Sequence, residues 1–147
     1  MNQIDYRILS RLRKNSRASV TQISRDIDAP VSTVFDRIKK LEDDYVIKHT
    51  SLLNHPCIRY HMRVSMVLRA DKKSELRQFL MNRKEVNSLY LIERGDLMCE
   101  CIFRDMKELS EFSEKLDDFD LLDKKEIHVV EDLKNEEFLT EEEHFQF

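Results

Sequence analysis

A chain of 147 residues, 41% of them apolar and 37% charged, can bury one core or two small ones, and its formal charge of -4 does not by itself suggest a nucleic-acid partner. No run approaches the roughly 20 apolar residues of a membrane span, and the N-terminus lacks the apolar core of a secretory signal. A soluble, cytoplasmic protein without a membrane partner is expected. The charge is unevenly placed, however: residues 1–61 carry 11 Lys/Arg against 7 Asp/Glu, whereas residues 62–147 carry 14 against 22. Only the basic first part suits phosphates.

The first predicted element is a helix from Gln3 to about Lys14 that offers Ile4, Ile8 and Leu12 on one face. Asn15 to Ala18 form a turn, and Ser19 is placed to cap a second helix carrying Ile23 and Ile27. Asp28-Ala29-Pro30 makes a short turn, because Asp tolerates the left-handed conformation and Pro30 suits the first turn of the next helix. A third helix follows to about Asp44, with Val34, Ile38 and Leu41 facing inward. Three short amphipathic helices with so tight a second turn have the pattern of a DNA-reading helix-turn-helix. The opposite face of the third helix is polar and centred on Ser32, Asp36 and Lys39.

From this pattern Ser32, Thr33 and Asp36 are expected at base edges, and Lys39 and Lys40 at phosphates. Asp36, repelled by phosphates, would accept from a cytosine amino group. Arg37 has two competing roles, one on DNA and one as a scaffold partner of Asp5 or Glu42. Arg17 and Thr21 at the second helix start, and Lys48 beyond the third helix, are further expected phosphate contacts. Tyr45 to Leu53 reads as a wing strand, broken by Asn54-His55-Pro56.

Beyond Met62 the rhythm changes to strand (62–68), helix (74–83), strands (86–92 and 97–103) flanking Gly95-Asp96, helix (Leu109, Phe112, Leu116, Phe119) and a last strand (127–130). That order is the split β-α-β of ferredoxin-like folds. The fold class is therefore α+β, with a winged helix-turn-helix at 1–53, a linker at 54–61, a ferredoxin-like domain at 62–132 and an acidic tail at 133–147 that includes Phe138, Leu139, Phe145 and Phe147. Cys99 and Cys101, two apart, fit one face of a strand as small apolar residues, and Cys57 leaves the count odd, so a reducing compartment is the simpler reading. The five histidines (49, 55, 61, 128 and 144) have no metal spacing. With no phosphate-binding glycine loop, nucleophile elbow or carboxylate pair, neither an enzyme nor a cofactor or metal is expected.

The two-domain order resembles the Lrp/AsnC, or feast/famine, transcription regulators over nearly the whole chain. The likeness is carried by Asp5 with Ile8-Leu9, by Arg17, by Val34-Phe-Asp-Arg37-Ile-Lys-Lys-Leu41-Glu42, by Val46-Ile47 and by Gly95-Asp96. Asp28 and Tyr45 stand where the family usually has glycine, Pro30 where it has a serine cap, and Asp36 where a basic residue is common. The resemblance implies a regulator that dimerises through the sheets and the hinge strand, assembles to tetramers or octamers, and reads pseudo-palindromic double-stranded DNA. It also implies an amino acid or related effector near Gly95 and Asp96, for which a tight turn needing glycine is the plainer account. Two rivals remain: siroheme decarboxylases resemble the same architecture and use histidines near a tetrapyrrole, and a small-molecule-binding module could use its N-terminal helices only for protein contacts.

Overall fold

The computed structural model describes residues 1–142, which form two compact units. One comprises Met1–Leu52 together with residues 133–142, and the other comprises Leu53–Asp132. Phe145, Phe147 and His144 lie outside the described residues.

The first unit holds α1 (Gln3–Lys14), α2 (Val20–Ile27) and α3 (Val31–Asp44). Asn2 opens α1 with a capping box: its side chain accepts from Asp5 N while the Asp5 carboxylate accepts from Asn2 N at 2.8 Å. Ser19 caps α2 by accepting from Gln22 N at 3.1 Å. The helices close over Ile8, Leu12, Ile23, Ile27, Val34 and Leu41.

The α2 to α3 turn is a Schellman arrangement with aspartate in glycine's customary place. Asp28 sits at φ 53 and ψ 56, Ala29 N donates to Ser24 O at 3.0 Å, and Asp28 N donates to Arg25 O at 3.4 Å. The Ser24 hydroxyl donates to Ala29 O and so closes the turn beyond α2, and Arg7 of α1 donates to Ile27 O at 3.0 Å, which satisfies the last carbonyl of α2. Pro30 stands one residue earlier than expected, just before α3, and gives it no side-chain cap.

The expected strand over 45–53 is corrected. The chain there forms no ladder among the described residues, and Ile47 is 98% exposed. A strand needs a neighbour to pair with, and this unit provides a single run at that place. His49 Nε2 instead lies 2.9 Å from Glu42 Oε1, which ties the segment back to α3.

Residues 133–142 form a strap along α1. The Ser10 hydroxyl donates to Thr140 O at 2.7 Å, and Arg13 donates to Phe138 O at 2.9 Å and Glu136 O at 2.8 Å. Ser10 and Thr140 are both buried by this contact.

The second unit is a four-stranded antiparallel sheet in the order β2-β3-β1-β4, formed by β1 (Met62–Ala70), β2 (Val86–Leu91), β3 (Leu97–Phe103) and β4 (Leu121–Val129). The helices α4 (Lys73–Met81) and α5 (Met106–Leu116) complete the ferredoxin-like order. Alternate residues Val64, Met66 and Leu68 of β1 and Leu97, Cys99, Cys101 and Phe103 of β3 are buried, with Leu76, Leu80, Leu109, Phe112 and Leu116 from the helices. Phe103 and Phe112 meet edge to face at 5.4 Å.

Cys99 and Cys101 are core residues. Cys101 donates to Cys99 Sγ at 3.7 Å, and that bond, with burial, raises its thiol pKa. β4 begins six residues before the expected strand, because Leu122 and the charged Asp123, Lys124 and Lys125 are all exposed on a sheet edge and carry no alternation. At its end Arg63 donates to Asp132 at 2.6 Å, which holds the Asp132 carboxyl below the usual carboxylate range.

Since Phe112 touches two other rings and is fully enclosed, Phe112→Ala should lower stability by about 3–5 kcal/mol. Urea denaturation followed by circular dichroism checks this, and a loss under 1 kcal/mol would contradict the packing described.

Candidate nucleic-acid interface

Burial of Val34 and Leu41 fixes the rotation of α3, so Ser32, Asp36, Lys39 and Lys40 are exposed and Thr33 half-buried along its outward side. Arg17 is exposed just before the cap of α2, Thr21 is exposed in its first turn, and Lys48 is exposed in the segment after α3. The structure therefore leaves seven of the nine residues named from sequence exposed, with Thr33 and Arg37 half-buried. Arg37 is half-buried, and its Nη1 lies 3.5 Å from Asp5 Oδ1; the pair with Asp5 forms, whereas Glu42 is taken by His49. Asp5 thus anchors both the start of α1 and the middle of α3.

The cations of this unit divide into two groups. On α1 and its strap, Arg7 and Arg11 lie 3.3 and 3.4 Å from Glu142, Arg13 3.2 Å from Glu136, and Lys14 2.9 Å from Glu141. Arg11 also lies 3.8 Å from Asp26. Among the described residues no ion pair engages Arg17, Arg25, Lys39, Lys40 or Lys48. Every lysine or arginine expected at a phosphate, apart from Arg37, is in the second group. The acidic strap neutralises α1, and the cations free of ion pairs among the described residues lie on α2, on α3, where Asp36, Asp43 and Asp44 are exposed as well, and in the segments flanking these helices.

Sequence reasoning passed over three residues in this region. Arg25 lies in the last turn of α2, and its unpaired state is not legible without the fold. Phe35 and Val31 are 58% and 48% exposed on α3. For Phe35 the available signal was its offset from the Val34, Ile38 and Leu41 stripe; Val31 continues that stripe by spacing and is exposed at the first turn of α3.

In the second unit, Gly95 adopts φ 77 and follows Arg94 at φ 63, so the turn uses left-handed backbone that favours glycine at Gly95. Asp96 is half-buried, and its Oδ1 is enclosed without a donor among the described residues. The Lys73 ammonium lies 3.4 Å from where a side chain on Gly95 would begin.

Residues 1–48 match the family model described as winged helix-turn-helix DNA-binding. A helix-turn-helix-type transcriptional regulator of Pyrococcus horikoshii is 30% identical over 145 residues, spanning 96% of this chain and 98% of the relative. Two solved structures share the fold over 92% of the chain. One is a transcriptional regulator of Neisseria meningitidis in complex with L-Met (TM-score 0.83, 21% identity, 93% of that chain). The other is an AsnC family regulator of Agrobacterium tumefaciens (TM-score 0.80, 19% identity, 94% of that chain). The chain belongs to the Lrp/AsnC family of transcription regulators.

Two departures from the Lrp/AsnC pattern acquire a physical reading. Asp28 takes the left-handed conformation that glycine usually supplies, whereas Tyr45 has φ -130 and needs no glycine. No described helix is long and apolar enough to cross a membrane.

If the strap is held as described, Arg13→Ala should speed amide exchange in residues 133–142 while α1 keeps its protection, at a stability change within about 1 kcal/mol. Hydrogen exchange by mass spectrometry reads this directly. Unchanged exchange in the strap would show that Ser10 alone suffices.

Proposed function

We propose that this Lrp/AsnC regulator is a cytoplasmic, dimer-based protein that reads pseudo-palindromic double-stranded DNA with α3. The observation that carries the proposal is the partition of cations: among the described residues Arg17, Lys39, Lys40 and Lys48 are exposed without ion pairs, whereas the basic residues of α1 are neutralised within the chain. Lys39 and Lys40 engage phosphates beside α3, Arg17 and Thr21 do so at the α2 start, and Lys48 does so from the following segment. Ser32, Thr33 and Asp36 face base edges in the major groove. Arg37 holds α3 in place through Asp5 and is a positioning residue.

A second copy supplies symmetry. Ile47, Leu52 and Leu53 are exposed in an extended segment with no ladder, and the sheet face opposite the helices presents Val67, Met98 and Ile127. These surfaces suit pairing of hinge segments and sheets between copies, with larger assemblies built from dimers. Two α3 helices would then meet successive major grooves about one turn of DNA apart.

The effector is an amino acid bound at the Gly95 turn. The Asp96 carboxylate, whose Oδ1 lacks a donor, suits an ammonium group, and Lys73 beside Gly95 suits a carboxylate. The relative from Neisseria meningitidis, solved with L-Met, supports an amino acid as the class to test.

Titration of selected duplexes at several salt concentrations tests the DNA reading. Lys39→Ala should weaken binding to all sequences and reduce the slope of log affinity against log salt by about 0.9. Asp36→Ala should instead alter the preferred base at one position by about 1–3 kcal/mol. Affinity insensitive to salt, or equal on every duplex, would refute the proposal. For the effector, thermal melting against a panel of amino acids should show stabilisation of about 2.7 kcal/mol at a hundred times Kd, lost in Asp96→Asn. An Asp96→Asn response equal to that of the parent chain would remove Asp96 from the site.

A further inference from the structure

We infer that Phe35 reads the C5-methyl group of a thymine in the major groove, with Val31 beside it, and so sets part of the sequence preference. This rests on the DNA reading of α3 and adds an apolar determinant to its polar ones. The ring is 58% exposed on a helix whose inward stripe is fully enclosed at Val34. At 100° per residue Phe35 stands a quarter turn from that stripe, one turn on from Ser32 and one turn before Lys39. With Val31, 48% exposed one turn earlier, it forms an apolar edge on α3, and covering that edge would remove apolar surface from water.

The neighbours indicate which partner. Lys39, one turn beyond Phe35, is exposed with no ion pair among the described residues, and a protein surface covering Phe35 would have to desolvate it or supply a matching carboxylate. DNA supplies phosphates to such cations and, among its ordinary bases, presents a methyl group in the major groove only on thymine. Phe35 and Ser32 are three apart on one side of α3, so a methyl contact and a hydrogen-bonded contact can fall on adjacent base pairs.

The test uses the full chain and a duplex selected from a random pool. Each thymine is replaced in turn by deoxyuridine, which removes the methyl and leaves the pairing edge intact. At one or two positions per half-site the parent protein should lose about fourfold in affinity, the worth of one buried methyl. Phe35→Ala should bind thymine and uracil equally at those positions, while keeping the parent's salt slope and helical circular dichroism. Phe35→Leu should retain part of the discrimination.

A thymine-to-uracil ratio that Phe35→Ala leaves unchanged at every position overturns the inference while the DNA reading stands. So does an altered oligomeric state with an unchanged ratio, which would assign Phe35 to subunit packing. Failure of the parent chain to bind any selected duplex overturns the DNA reading itself, and this inference with it.

Discussion

The turn between α2 and α3 is the constraint on which the proposed interface depends. Asp28 in the left-handed region reverses the chain, Ser24 and Ala29 lock the reversal, and Arg7 reaches from α1 to satisfy Ile27 O. With the turn fixed, burial of Val34 and Leu41 leaves α3 one rotational setting, and the outward side follows. Asp5 reinforces that setting, since the same carboxylate that caps α1 pairs with Arg37. An aspartate in left-handed backbone is tolerated because its short polar side chain suits that region better than a branched one would.

Electrostatics in this chain are local. A net charge of -4 would rank it among proteins that avoid polyanions. Folding alters that conclusion by bringing Glu136, Glu141 and Glu142 onto Arg7, Arg11, Arg13 and Lys14, so the strap cancels charge on α1 only. The cations around α3 are left to solvent. Exposed ion pairs contribute little stability individually, so the strap is secured more by the buried Ser10 to Thr140 bond than by its charges.

The helices were legible in sequence because periodicity and caps agree: Ser19 caps α2 as its side chain requires, and Ile23, Ile27 and Val34 meet as their spacing dictates. The β-α-β-β-α-β order was legible for the same reason, with Gly95 marking a turn that uses positive φ. Three features escaped. The strand reading at 45–53 followed residue type, but strand formation is a property of pairs. The start of β4 lies on an edge where Leu122 to Lys125 alternate nothing. Phe35 belongs to a stretch quoted for family likeness, yet only the fold shows that its ring stands in water.

The strap makes the first unit a joint product of both ends of the described chain, since residues 133–142 complete a surface begun by residues 3–14. Because synthesis runs from the N-terminus, α1 is made before the strap that covers it, and its arginines gain their acidic partners only after the sheet domain has been synthesised. The polypeptide also passes between the units twice, near Leu52 and near Asp132. A fragment ending before Leu133 therefore carries the three helices without the acidic cover that residues 133–142 lay over α1.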